Sequence, residues 1–89
     1  MAPTNNKWKT LILPAAADAV TGLLKIRYIR WEQITTAGDD LILDTTAGVN
    51  IVTLTAENAT DGIDIPIDET VDGIVVTTMD SGRVIVFLD

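Results

Sequence analysis

The chain has no cysteine and no histidine among its 89 residues. Disulfide bonds therefore cannot stabilise it. A structural zinc site is nearly excluded, because such sites are built from cysteine and histidine. A domain of this size buries only about 60–65% of its unfolded surface, so a lone core is marginal. Oligomerisation is the remaining common way to bury more surface, and we expect a homo-oligomer.

The groups that nucleophilic catalysis needs are also missing. The only serine, Ser81, falls in a predicted hairpin turn, and no histidine or cysteine is available to activate it. The glycines are isolated, so no G-x-G-x-x-G or G-x-x-x-x-G-K loop can cradle a phosphate. No catalytic residue and no cofactor is predicted, and the protein is not expected to be an enzyme.

Carboxylates are plentiful by contrast. Asp64, Asp68, Glu69 and Asp72 lie in or beside a predicted acidic turn at residues 68–73. Acids are common in turns because they bond to the local backbone, so a solvated turn is the expected role. Acid–base catalysis by these carboxylates remains a weaker alternative. A weak calcium site is another, and it would use the oxygens of Asp61, Asp64, Asp68 and Asp72.

The net charge of −7 is unevenly distributed along the chain. Residues 1–31 carry five basic residues and one acid, a net charge of +4. Residues 32–89 carry one basic residue and twelve acids, a net charge of −11. This asymmetry indicates an interaction surface. The acidic body argues against nucleic acid as a partner, since nucleic-acid binding needs a basic footprint.

Export and membrane insertion are both unexpected. No stretch approaches the roughly 18–20 apolar residues that span a bilayer. Lys7 and Lys9 precede the run TLILPAAADAV, as in a signal peptide, but Pro14 and Asp18 interrupt this short apolar run. We therefore expect no membrane partner and no secretion by a signal peptide.

The composition is typical of a β-rich globular protein: 47% hydrophobic, 4% aromatic and rich in Ile, Val, Leu and Thr. Turn signals recur at about 8–12-residue spacing, including TTAG at 35–38 and 45–48. This pattern predicts an all-β fold, a small antiparallel, jelly-roll-like β-sandwich of about seven strands. Residues 1–14 are predicted to form an extended N-terminal arm with the first strand, and residues 15–89 a single sandwich domain. The predicted strands are 8–13, 23–33, 40–44, 49–55, 62–67, 74–79 and 83–89.

Residues 23–33, LLKIRYIRWEQ, form the longest predicted strand. This strand holds the only tyrosine, Tyr28, and three of the six basic residues. Its apolar positions change face near residues 28–29. A β-bulge would cause this change, and so would passage of the outer face from solvent to a covered region. In the strand at 62–67, Pro66 cannot donate to a ladder, which predicts an edge strand.

Several residues are candidate contacts to a partner. Trp8 lies beside the predicted arm, and aromatic anchors contribute heavily to binding. Trp31 is expected in the core, with a partner contact as the alternative. The predicted strands 74–79 and 83–89 are apolar on both faces, which favours a covered outer face. Lys25 and Arg27 predict a salt-sensitive contact with acids of a neighbouring subunit. The candidates are Trp8, Lys9, Lys25, Arg27, Arg30, Trp31, Ile85 and Phe87.

From residue 23 onward the order of motifs resembles a group of small virion proteins of tailed bacteriophages. The motifs are KIRYIRW, a TTAG turn, LILD, the second TTAG turn and the closing block VDGIVVTTMDSGRVIVFLD. The closing block is the part most similar to that group. Such proteins are typically single β-sandwiches, and their pattern contains no catalytic residues.

The resemblance implies a non-enzymatic role in the virion. The expected function is a capsid decoration or cement protein that stabilises the head by bridging subunits of the major capsid protein, often as a trimer. The protein would be made in the host cytoplasm and reside in the virion. The alternative is a tail, neck or fibre-associated structural part, or a carbohydrate- or receptor-binding module there.

Overall fold

The computed structural model describes residues 10–89, without the side chain of Asp61. Within this range the chain is all-β, with no helix, as predicted. It forms one continuous antiparallel sheet of six strands in the order β1-β6-β2-β5-β3-β4, so the predicted all-β class is confirmed and the predicted sandwich of about seven strands is not. The strands are β1 (Thr10–Leu13), β2 (Ala19–Ile34), β3 (Asp40–Asp44), β4 (Asn50–Thr55), β5 (Thr60–Met79) and β6 (Arg83–Leu88).

The predicted turn at residues 68–73 is wrong, and this accounts for the missing seventh strand. The segments predicted as separate strands at 62–67 and 74–79 are the two parts of β5. Asp68 (φ 52°) and Gly73 (φ 82°) adopt left-handed backbone conformations, but the chain does not reverse there. β2 pairs with β5 on both sides of Asp68, and the register shifts between Ile26 and Tyr28. The turn-forming residues therefore produce a bulge.

The lengths of β2 and β5 require the sheet to bend. A straight strand of 20 residues would be about 66 Å long, whereas the longest dimension of the molecule is 34 Å. The bulges allow the two long strands to bend, and the sheet folds over on itself. One layer, called the first layer here, contains β1, β6, residues 28–34 of β2 and residues 60–67 of β5. The second layer contains the remaining parts of β2 and β5 together with β3 and β4.

The core lies between these layers and draws on every strand. Trp31 is fully buried, and its indole Nε1 donates to the Ser81 carbonyl oxygen at 2.9 Å. This bond satisfies the polar atom of the largest core side chain. The core side chains are Leu13, Ile26, Ile29, Trp31, Ile34, Leu41, Leu43, Val52, Ala56, Ile74, Val76, Val84 and Val86.

The change of face in the long strand is a bulge, one of the two predicted causes. Ile26, Ile29 and Trp31 are all buried, so the spacing between inward positions is three residues once and then two. The register shifts at the same place against both neighbouring strands, between Ile26 and Tyr28. Arg27 lies at this bulge and is exposed. The bulge therefore brings Ile29 and Trp31 into the core, which a regular period of two from Ile26 would not do.

Two predictions about local structure are confirmed. The first part of β5, with Pro66, pairs only with β2 among the described residues, so it is an edge segment. Ser81 lies in the turn between β5 and β6, where its hydroxyl donates to Asp39 and accepts a hydrogen bond from the Thr35 backbone amide. These bonds hold the β5–β6 turn against the turn between β2 and β3.

Candidate interaction surface

The outer face of the first layer is set by the alternation along β6. Val84 and Val86 are buried, so Ile85 and Phe87 point to the opposite face, where both are half-buried. The strand register extends this face across the layer. Phe87 lies opposite Thr10 on β1 and Tyr28 on β2, and Ile85 lies opposite Ile12 and Arg30.

An apolar strip occupies one end of this outer face. The rings of Tyr28 and Phe87 stack with centroids 4.3 Å apart and an interplanar angle of 9°. Ile12 is 55% exposed, one of the few large hydrophobic side chains so open to solvent. Pro66, opposite Tyr28, is exposed as well. We call these residues the outer strip: Ile12, Tyr28, Pro66, Ile85 and Phe87.

A network of charges covers the other end of the outer face. Arg30 Nη1 lies 2.9 Å from Asp64 Oδ1, and Arg30 Nε lies 3.5 Å from Glu32 Oε1. Arg83 Nε binds the second Glu32 oxygen at 2.5 Å. Glu32 is the most buried member, with its side chain 15% exposed. The network therefore joins β5, β2 and β6. Within it, the positive charge of Arg30 is already paired with carboxylates of the same chain.

Glycine at position 62 leaves room for this network. A Cβ at Gly62 would lie 2.3 Å from Arg30 Nη2, so the guanidinium rests directly over the backbone of β5. The hydrogen bond from Arg30 to Asp64, together with the charge of that carboxylate, raises the pKa of Arg30 above its ordinary value. Arg30 thus links β2 to β5 on this face through ion pairing within the chain.

The predicted partner contacts fall into different environments. Ile85 and Phe87 lie together in the outer strip, with Arg30 beside them. Trp31 has no exposed surface, so a partner contact by its side chain is wrong and the core placement is confirmed. Trp8 and Lys9 lie outside the described residues.

The remaining basic candidates lie near the middle of β2. Lys25 Nζ lies 3.2 Å from Asp89 Oδ2, in a pair whose side chains are 70% and 52% exposed. Such exposed pairs contribute little to stability. Arg27 forms no ion pair with the carboxylates whose side chains the structure describes. Lys25 and Arg27 are both accessible, and the salt-sensitive contact with a neighbour stays a prediction.

The acidic residues are dispersed in the described part of the chain. No group of three or more metal-ligating side chains is found there, and the Asp61 side chain is outside that set. Asp64 is paired with Arg30. Two other carboxylates accept hydrogen bonds from threonine hydroxyl groups: Thr55 donates to Asp40, and Thr77 donates to Asp44. The acids near strand ends thus bind neighbouring strands.

Sequence reasoning missed three members of this surface, Ile12, Tyr28 and Pro66. Nothing local distinguishes Ile12 from its neighbours Leu11 and Leu13 in the run TLIL. Its position follows only from the register that places it opposite Ile85. The signal that could have found it is the two-residue alternation of β6 combined with the pairing of β1.

Among residues 10–89 there is no helix with the length and apolarity to cross a membrane. Comparison of the chain with protein-family models, with curated proteins and with solved structures found no match.

Proposed function

We propose that this protein is a non-enzymatic subunit of a larger assembly, and specifically a decoration or cement protein of a tailed-phage head. It would bind the outside of the shell as a homo-oligomer, with a trimer favoured, and bridge subunits of the major capsid protein. The virion identity rests on the resemblance in sequence. The assembly role rests on the outer strip, which is the single observation that carries it.

The outer strip has the properties of a contact surface. It combines a stacked aromatic pair with open aliphatic side chains, and aromatic residues are enriched in the cores of interfaces. The charges of Asp64, Arg30, Glu32 and Arg83 are already paired with one another at its border. A partner can therefore cover the apolar strip without burying an unpaired charge of the network, which would cost free energy.

The carbohydrate-binding alternative has less support. A sugar-binding groove would use exposed aromatic rings, and Trp31 is not available because it is in the core. Tyr28 and Phe87 stack on each other, so each covers a face that a sugar ring would need. We therefore favour protein as the partner of the outer strip.

Replacement of Ile12 with glutamate tests this role. Ile12 lies on an edge strand and is 55% exposed, so Ile12→Glu should leave the fold intact. A buried carboxylate without a partner is costly, so binding to expanded shells of the major capsid protein should weaken by at least about tenfold. The gain in heat resistance that the wild-type protein gives to such shells should be lost in parallel.

Val49→Glu is the matched control. Like Ile12, Val49 is a β-branched residue with a solvent-exposed side chain, 64% exposed, but it lies outside the outer strip. It should bind the shells like the wild-type protein. Equal binding by Ile12→Glu and Val49→Glu would contradict a role for the outer strip. A wild-type protein that neither binds the shells nor protects them from heat would contradict the cement function.

A further inference from the structure

A groove separates β4 from the first part of β5, although the two segments follow each other in sequence. Within residues 10–89, β4 pairs only with β3, and residues 60–67 of β5 pair only with β2. Their outer edges face the same groove, and the loop at residues 56–59 closes one end. Its two lobes, of ≈ 310 and ≈ 470 Å³, meet at Leu54. The molecule thus presents two open strand edges side by side.

The groove is lined by both aliphatic and polar side chains, and a glutamate borders each of its two lobes. Glu57 borders the lobe near the loop, and Glu69 borders the other lobe. Both carboxylates are exposed, and neither forms an ion pair with a described residue. Five large aliphatic side chains that line the groove are half-buried: Ile51, Leu54, Ile63, Ile65 and Ile67.

These features fit an extended peptide that carries an apolar anchor and positive charge. Open strand edges accept a further strand through backbone hydrogen bonds, and side-chain pockets then provide specificity. β4 also lacks the charges and prolines that usually protect an edge strand, as its sequence NIVTLT shows. The ligand should place an apolar side chain among the isoleucines and cations near the carboxylates.

One segment of this chain has that chemistry, the tripeptide Lys7-Trp8-Lys9. It joins a large aromatic side chain to two cations. Most other cations of the protein are already paired: Arg30 and Arg83 with Glu32, and Lys25 with Asp89. The tripeptide directly precedes β1 and belongs to the nine residues before Thr10.

The covalent reach of this segment points to a groove on another molecule. Trp8 is two residues from Thr10, so their Cα atoms can be at most about 7 Å apart. β1 is separated from β5 by β6 and β2, which are three strand spacings of about 4.8 Å each, or about 14 Å. The groove lies beyond β5, at the opposite edge of the first layer. A neighbouring copy can bring its own groove to β1.

We propose that Lys7-Trp8-Lys9 of one copy binds in the groove between β4 and β5 of a second copy, with Trp8 among the isoleucines and the lysines near Glu57 and Glu69. This contact deepens the proposed assembly role, and the groove shares only Pro66 with the outer strip. The N-terminal segment and the groove lie on different parts of the molecule. Contacts between successive copies therefore close into a ring or continue as an open chain of subunits.

Disulfide trapping tests this contact, since the chain has no cysteine of its own. Asn6→Cys labels the N-terminal segment and keeps the tripeptide, while Asn58→Cys and Thr53→Cys label the two lobes of the groove. Each groove variant is mixed with the Asn6→Cys variant and mildly oxidised. We expect a disulfide-linked dimer between Asn6→Cys and at least one of the two groove variants. Thr36→Cys, exposed but outside the groove, is the matched control and should give at least about tenfold less dimer.

Addition of Trp8→Ala to the Asn6→Cys variant should slow the cross-linking at least about tenfold, the loss expected for an aromatic anchor. Cross-linking no faster than with Thr36→Cys would overturn the proposal. A double variant combines Asn6→Cys with Asn58→Cys or Thr53→Cys in one chain and should give linked dimers and larger species. A monomer with an internal disulfide would show that the segment binds the groove of its own chain. That result would also overturn the proposal. If cross-linking fails while Ile12→Glu still abolishes protection of the shells, the groove contact alone is wrong.

Discussion

Alanine at position 82 is expected to remove a large part of the protein's stability. Gly82 lies in the turn between β5 and β6 with φ at 76°, a conformation that disfavours a side chain. A Cβ there would lie 2.1 Å from the Glu32 carbonyl oxygen. Since this atom belongs to the backbone of central strand β2, it cannot move away as a flexible side chain would. We expect Gly82→Ala to lower the free energy of unfolding by more than about 4 kcal/mol.

That loss is comparable to the whole stability of a small domain, about 0.05–0.15 kcal/mol per residue. Gly38 provides the control, with φ at 92° and no atom within 4 Å of an added Cβ. Gly38→Ala should cost only the left-handed conformation, about 1–2 kcal/mol. Urea denaturation followed by circular dichroism compares the two variants. Equal losses would show that the close approach of Gly82 to β2 is absent.

The second large effect is expected at Trp31. Truncation to alanine removes the largest fully buried side chain and leaves a cavity between the two layers. It also leaves the Ser81 carbonyl oxygen without the indole donor. Trp31→Ala should therefore lower the free energy of unfolding by about 3–5 kcal/mol.

Leu23→Ala is the comparison for Trp31→Ala, because Leu23 is 78% exposed. A surface change of this kind usually alters the free energy of unfolding by less than about 0.5 kcal/mol. Both variants can be measured by the same urea denaturation. If Trp31→Ala were as mild as Leu23→Ala, Trp31 would not be in the core, and a partner contact by its side chain would again be open.

The sequence was sufficient to predict the β-strands that obey a simple period. In β6, alternation alone assigns Val84 and Val86 to one face and Ile85 and Phe87 to the other, as observed. The Asp80-Ser81-Gly82 turn was predicted because glycine supplies the positive φ that such turns require. These signals are local, so they do not depend on which strands pair.

The errors arose where pairing decides the outcome. Asp68 and Gly73 carry the chemistry of a turn, but the long β2 continues to pair on both sides of Asp68 and converts it into a bulge. The ion pair of Arg30 with Asp64 joins residues 34 positions apart, so it depends entirely on register. For the same reason, the outer strip could be predicted only in part, at Ile85 and Phe87.

The most direct measurement of the central claim is hydroxyl-radical footprinting of the outer strip. Tyr28 and Phe87 are oxidisable, and both lie on the outer face of the first layer. Met79, opposite buried Leu41 on the core side, serves as an internal control. In particles assembled with the major capsid protein, we expect oxidation of Tyr28 and Phe87 to fall several-fold relative to the free protein, while that of Met79 is unchanged. Equal oxidation of Tyr28 and Phe87 in free and assembled protein would contradict the assignment of the outer strip as the assembly surface.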